Sequence, residues 1–260
     1  HPGKGDSAGE RLPMSTPSLI LATDLDGTFL GGSEAQRCLL YDWLHDDEDH
    51  VLIFVTGRDI PFVQKLVAQP GIPRPHYVIG DIGTSVVDGR TFHPIDAVEA
   101  HIAALWNDSA SQVAALLDDE PALRLQPTPF RYRRSYYYDP VRLSADVLSK
   151  VEDAGYDWIL SDSHFLDVLP KGVSKGPTLV RLLEYLGLPR ERVLVAGDTL
   201  NDLSMFETRL KGVAVGNAEP ALLERIAEIP EVYRSAQPGA AGIWDALCYF
   251  RFPTAKELQP

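Results

Sequence analysis

The sequence predicts an α/β protein: a doubly wound parallel-sheet core with an inserted α/β cap domain. Short apolar runs, Leu19-Ile20-Leu21-Ala22, Val51-Leu52-Ile53-Phe54-Val55, Tyr77-Val78-Ile79 and Val193-Leu194-Val195-Ala196, read as strands buried on both faces. Helical patterns alternate with them, with apolar Leu39, Leu40, Trp43 and Leu44 in one, Phe62, Val63, Leu66 and Val67 in the next, and Leu179, Leu182, Leu183 and Leu186 in a third. Between about Val86 and Asp162 the alternation gives way to longer helical segments and an antiparallel-looking stretch from Phe130 to Tyr138. The expected division is a tail or linker over 1–17, a core over 18–85 and 163–260, and a cap over 86–162. Met14 is compatible with a native start and with a position inside a longer protein.

Composition narrows the function classes. The chain has 260 residues, 45% hydrophobic and 23% charged, which excludes disordered and collagen-like classes. Its formal net charge of −13 argues against nucleic acid and anionic membranes as partners, because both demand clustered Lys and Arg. Cys38 and Cys248 form neither a CxxC pair nor a disulfide framework, so a reducing cytoplasm is expected. No apolar run approaches the roughly 20 residues of a membrane span.

Four short segments carry chemistry. Asp24-Leu25-Asp26-Gly27-Thr28 follows the first strand, and carboxylates at i and i+2 leave a strand on the same side while Leu25 points into the core. They converge at the carboxyl end of the sheet, where open α/β folds bind ligands, and adjacent anions there need a cation or a raised pKa. Thr56-Gly57-Arg58 ends a buried strand before a helix, offering a hydroxyl and free amides to a phosphate oxygen. Lys171-Gly172-Val173-Ser174-Lys175-Gly176 precedes a helix starting near Pro177 and brings an ammonium to a phosphoryl group. Gly197-Asp198-Thr199-Leu200-Asn201-Asp202 follows another buried strand and supplies oxygen donors for a hard cation.

Taken in this order, the DLDGT, TGR, VSKG and GDTLND runs resemble the haloacid-dehalogenase-type phosphohydrolases over nearly the whole chain after Pro17. The few residues after Phe29 leave no room for a cap there, whereas the long interval from Thr56 to Lys175 does; this resembles the subgroup with a large α/β cap. Ile82-Gly83-Thr84, the run from Gln126 to Tyr138, Leu166 to Pro170 and Gly216-Asn217-Ala218 are most similar to sucrose-phosphate phosphatases and their relatives acting on mannosylfructose or glucosylglycerol phosphate. Ser161-Asp162-Ser163-His164 departs from the sugar-binding loop of the sucrose enzymes.

The resemblance implies a Mg²⁺-dependent hydrolysis through an aspartyl-phosphate, with sucrose 6-phosphate the leading substrate. Asp24 would be the nucleophile and Asp26 the acid/base. Asp24, the Asp26 carbonyl, Asp198 and Asp202 would hold Mg²⁺, Asp202 through water or by orienting Lys175. Thr56 with Gly57, Lys175 and Asn201 would hold the phosphoryl oxygens. Lys171 reads as a solvated neighbour. Thr84 and Asp81 at the core-to-cap crossing, and Asp162 and His164 late in the cap, are the candidate sugar contacts. A phosphomutase is the nearest alternative; a non-catalytic domain that binds a sugar phosphate or docks on a sugar-phosphate synthase is the alternative from another class. His45 to His50 reads as a solvated acidic turn and the four tryptophans as packing residues. The Arg/Tyr run from Arg131 to Tyr138 reads as a cap strand whose alternation turns Arg131, Arg133, Ser135 and Tyr137 one way and Tyr132, Arg134, Tyr136 and Tyr138 the other.

Overall fold

The structure, a computed structural model, describes residues 16–253; the expected tail over 1–17 lies almost wholly outside them, as do residues 254–260. The strands are β1 (Leu19–Thr23), β2 (His50–Val55), β3 (Tyr77–Gly80), β4 (Ser85–Asp88), β5 (Leu123–Leu125), β6 (Arg134–Tyr138), β7 (Tyr156–Ser161), β8 (Phe165–Pro170), β9 (Val193–Gly197), β10 (Lys211–Ala214) and β11 (Val232–Arg234). The helices are α1 (Glu34–Asp46), α2 (Ile60–Val67), α3 (Asp96–Trp106), α4 (Ala110–Leu117), α5 (Ala145–Asp153), α6 (Lys175–Leu186), α7 (Leu203–Glu207), α8 (Pro220–Ile226) and α9 (Gly239–Tyr249). Among the described residues they form a seven-stranded sheet ordered β11-β10-β9-β1-β2-β3-β4 and a four-stranded sheet ordered β5-β6-β8-β7.

The large sheet is parallel except at β4, which returns antiparallel to β3. Side chains alternate across β1: Leu19 and Leu21 join the layer of α1, α2 and α9, whereas Ile20 and Ala22 join that of α6, α7 and α8. Burial on both faces requires continuous apolar strands, which is why they are legible in sequence. β10, with Lys and Gly at its start, and the three-residue β11 lack such a run. Their place in the sheet comes from pairing with β9 and with each other.

The cap sheet is antiparallel throughout, and its helix-facing side chains, Tyr136, Leu166 and Val168, pack with Val113, Leu117, Val147 and Val151 of α4 and α5. Two boundaries differ from expectation. β8 pairs with β6 and β7, so the cap runs beyond residue 162 to Pro170; its apolar Leu166-Val168-Leu169 reads like a core strand by composition, and only the pairing assigns it. Residues 86–88 belong to the core through β4, and α3 serves both units, giving Val98 and Ile102 to the core cluster and Trp106 to the cap cluster. Within the Phe130–Tyr138 stretch, the strand begins only at Arg134. Trp43 and Trp106 are buried as packing residues.

Trp106 is 2% exposed and sits 5.8 Å from the ring of Tyr156. Trp106→Ala should lower unfolding stability by about 3–5 kcal/mol, read as a fall in the denaturant midpoint; a loss below about 1 kcal/mol would show that this ring does not anchor the cap.

Candidate active site

β1 is central, flanked by parallel β2 and β9, so the loops at the carboxyl ends of these strands meet. Asp24 leaves β1 with its amide on the Ala196 carbonyl of β9 (3.0 Å) and is 5% exposed. The chain then turns sharply over Leu25–Phe29, with Leu25 buried as expected. Gly27 makes that turn possible: its φ is +75°, and a Cβ there would lie 2.2 Å from Asp198 Oδ2. The turn separates the two aspartates, leaving Asp26 about half exposed.

Lys175, the first residue of α6, is fully buried. Its ammonium donates to Asp24 Oδ1 (3.0 Å), Asp202 Oδ1 (2.7 Å) and Asn201 Oδ1 (3.2 Å), using all three of its hydrogens. Burial alone would lower the pKa of this ammonium, but the carboxylates of Asp202 and Asp24 outweigh it and hold the group charged. Asp202 in turn accepts the amides of Asp198 (2.9 Å) and Thr199 (3.2 Å) on Oδ2, so it fixes Lys175 and the Asp198 loop together. Lys171, by contrast, is exposed.

Asp24, Asp198 and Asp202 are all buried and present one oxygen each within 4.8 Å of one another, a grouping that can hold a metal ion. Thr28 Oγ1 joins Asp198 Oδ1 (3.1 Å) to Asp24 Oδ2 (3.4 Å), and Asn217 Nδ2 braces the Gly27 carbonyl (3.0 Å) and Asp198 Oδ2 (3.4 Å). Three buried carboxylates share one ammonium here, and burial, then Asp24 and Asp202, push the Asp198 carboxyl upward. This unbalanced negative charge and the all-oxygen donor set fit a hard divalent cation. The Asp26 carboxylate is not in this group; it faces Arg58.

A cleft of about 530 Å³ opens above these residues between core and cap. Asp24, Asp26, Gly57, Asn201 and Asp162 line it, bringing five of the sequence-predicted residues together. Thr56 is buried beside it, its Oγ1 accepting the Arg58 amide (3.0 Å). Burial, then Asp202 and Asp26, raise the pKa of Asp162, which sits at the tip of the β7–β8 hairpin with φ of 53°. Three expected sugar contacts are placed differently. Asp81 lies outside the lining, its Oδ1 accepting from Arg133 (3.2 Å) and its Oδ2 from Ser85 (2.6 Å). Thr84 is buried with its hydroxyl donating to the Asp81 carbonyl (2.9 Å), because the crossing packs on the start of α6, and His164 lies outside the lining, stacked on Tyr137 with ring centroids 4.9 Å apart.

Several groups were not assigned from sequence. Arg133 is 6% exposed and donates to Asp167 Oδ1 (2.9 Å), the Gly57 carbonyl (3.1 Å) and Asp81 Oδ1 (3.2 Å), joining the cap sheet to the Thr56 loop and the crossing. Ser135 donates to the same Asp167 oxygen (2.6 Å), so period-two alternation in β6 turns Ser135 and Tyr137 to the cleft and Tyr136 to the helices. That alternation was visible in the Arg/Tyr run; Asp167 lay within the Leu166 to Pro170 run that carries the resemblance, but nothing local marked it as the partner of Arg133.

The sequence model of the family described as sucrose-6F-phosphate phosphohydrolase matches residues 17–251. The chain is 40% identical over 235 residues to a glucosylglycerol-phosphate synthase of Pseudomonas anguilliseptica; the match covers 90% of this chain and 31% of that protein, so the chain spans under a third of this relative's length. It is 28% identical to a mannosylfructose-phosphate phosphatase of Agrobacterium fabrum, covering 89% of this chain and 96% of that one. A sucrose-phosphatase structure from Synechocystis sp. PCC6803, in complex with sucrose and phosphate, superposes with a TM-score of 0.83 at 26% identity, covering 91% of this chain and 99% of that chain.

The carboxylate cluster predicts a pH-dependent response to metal. In metal-free protein Asp198 rises from the ordinary 3.8 to about 9 on folding. Across that window the folded state binds more protons than the unfolded state, so stability contributed by this group falls as pH rises. A cation that takes the place of the proton should therefore raise the thermal midpoint more at about pH 8 than at about pH 5. Equal gains at both pH values in differential scanning calorimetry would show that the cation does not displace this proton.

Proposed function

We propose that this chain, which belongs to the sucrose-6F-phosphate phosphohydrolase family and is a phosphoric monoester hydrolase, releases inorganic phosphate from the phosphate ester of a small glycoside. The observation that carries the chemistry is the Asp24 carboxylate at the end of the central strand, 3.0 Å from a buried ammonium and open to the cleft that Asp26 also lines. Glucosylglycerol phosphate is the first proposed substrate, supported by the 40% identity to a protein named for its synthesis. Sucrose 6-phosphate is the second, supported by the family description and by the likeness to the Synechocystis enzyme.

In the proposed reaction an Asp24 oxygen attacks phosphorus and the bond to the sugar oxygen breaks, while Asp26 gives that oxygen a proton. Asp26, now a carboxylate, then takes a proton from the water that attacks the aspartyl-phosphate, and the Asp24–phosphorus bond breaks to release phosphate. Thr56 accepts the Arg58 amide, which leaves its own hydrogen free for a phosphoryl oxygen. The Asn201 carbonyl accepts from Lys175 (3.2 Å) and Thr199 (2.7 Å), so its amide nitrogen is left to donate. Lys175 can reach a phosphoryl oxygen by exchanging its longest contact, the one to Asn201. Mg²⁺ is the proposed cation, held by Asp24, Asp198, Asp202 and the Asp26 carbonyl; when bound, it neutralises phosphoryl charge and helps to orient the group for in-line attack.

The cap supplies selectivity, because the core groups face only the phosphoryl end. The match to under a third of a longer synthase supports association with a sugar-phosphate synthase. The free, exposed Cys38 and Cys248 support a reducing cytoplasm as the compartment.

Asp24→Asn conserves volume and should abolish turnover without unfolding the protein; retention of activity within about tenfold of wild type would exclude the covalent route. Phosphate release from glucosylglycerol phosphate, sucrose 6-phosphate, mannosylfructose phosphate and p-nitrophenyl phosphate should show a far higher kcat/KM for a glycoside phosphate than for the small ester, since a polar cap left unpaired rejects it. EDTA should stop the reaction and Mg²⁺ restore it better than Ca²⁺, whose larger shell lets Asp24 bind through both oxygens. No preference among the esters would remove the glycoside reading, and full activity in Ca²⁺ the Mg²⁺ assignment.

A further inference from the structure

We propose that Arg58 is the positioning residue for Asp26, an inference that rests on the acid/base role proposed for that carboxylate. Asp26 lies within the sharp turn over Leu25–Phe29, just before Gly27, and its side chain is about half exposed, so little of the surrounding structure encloses it. Arg58 supplies the missing constraint. Its Nε donates to Asp26 Oδ2 (2.9 Å) and its Nη2 to Asp26 Oδ1 (3.2 Å), a two-pronged contact that fixes both the place and the plane of the carboxylate.

Arg58 is itself fixed from two directions. Its amide is bonded to Thr56 Oγ1, which ties its backbone to the loop proposed to hold phosphate. Its guanidinium carbon lies 4.4 Å from the centre of the Phe62 ring on α2, which sets the plane of the fork. Arg58, Phe62 and Asp26 line the same cleft. Each member of the ion pair is 53% exposed, where solvent screens the attraction, so the pair contributes little to folding and its value lies in the geometry it fixes.

The two-pronged contact takes one lone pair from each carboxylate oxygen and leaves the others directed away from the guanidinium. Held in this way, Asp26 gives its proton to the sugar oxygen as the phosphorus–oxygen bond breaks, and the carboxylate left behind later takes the proton of the attacking water. Arg58 forms no bond to the reacting atoms in this scheme.

The test compares Arg58→Gln and Arg58→Lys with Asp26→Asn on two esters, using kcat/KM, which reports the first chemical step. The esters are whichever of glucosylglycerol phosphate and sucrose 6-phosphate is hydrolysed faster, and p-nitrophenyl phosphate, whose leaving group departs without a proton. Asp26→Asn should slow the glycoside phosphate far more than the small ester. Arg58→Gln should reproduce that asymmetry at smaller size, losing roughly tenfold or more on the glycoside phosphate and under about threefold on the small ester, as expected when a general acid is displaced but not removed. Arg58→Lys, with the charge but not the fork, should fall between. Unchanged thermal midpoints confirm that the variants are folded. Equal losses on both esters in Arg58→Gln would place the guanidinium on the phosphoryl group and overturn the proposal, as would an Arg58→Gln enzyme as fast as wild type while Asp26→Asn remains leaving-group dependent. Equal losses on both esters in Asp26→Asn would overturn the acid/base reading on which the proposal rests.

Discussion

One buried ammonium organises the active end of the molecule. Lys175 sits between Asp24 and Asp202 with no solvent exposure, and the three residues come from the end of β1, the start of α6 and the loop after β9. Taking these charges out of water is costly, and the cost is offset only while every hydrogen of the ammonium has an oxygen. The interaction therefore fixes three separate elements at once. Asp202 extends the constraint to the backbone of Asp198 and Thr199, so the third carboxylate is aimed by the same contact. Removing the ammonium would strand the buried carboxylates, a penalty of roughly 3–5 kcal/mol, so the geometry of the three elements depends on Lys175.

The surplus of negative charge around that ammonium connects structure to chemistry. Asp24, Asp198 and Asp202 converge where the sheet presents the carboxyl ends of its central strands. A site that raises the pKa of its own carboxyls has a standing affinity for cations, and a cation held there would attract an anionic ester in spite of the chain's net charge of −13. The Asp26 carboxylate, outside the cluster, is free of that constraint and pairs with Arg58.

Cap and core are joined both through their hydrophobic clusters and across the cleft. α3 packs Val98 and Ile102 into the core and Trp106 into the cap, so one rigid rod joins both hydrophobic clusters. On the cleft side Arg133 joins Asp167 of the cap to the Gly57 carbonyl and Asp81 of the core. Tyr137, Phe165 and Asp162 line the cleft from the cap side, and Asp24, Asp26 and Asn201 line it from the core side. In the proposed reading the phosphoryl end and the sugar end meet different parts of the chain, which is why family membership fixes the reaction more firmly than the sugar.

The sequence by itself determined the parallel core, because strands buried on both faces must be continuously apolar, and it placed Asp24, Thr56, Lys175, Asn201, Asp198 and Asp202 at strand ends and a helix start, because loop chemistry must follow the strand that aims it. Alternation in the Arg/Tyr run also divided β6 into its two faces correctly. Tertiary structure alone decided the rest. β10 and β11 exist through pairing rather than composition, and β8 joined the cap although its residues read as core. Thr84 turned inward because the crossing packs on α6, and His164 left the lining for Tyr137. The Asp26–Arg58 and Arg133–Asp167 pairs span 32 and 34 residues of sequence. Such contacts carry no periodicity or local signature; they arise only when folding brings separate loops within a few ångströms, where charge and hydrogen-bonding direction select the partner.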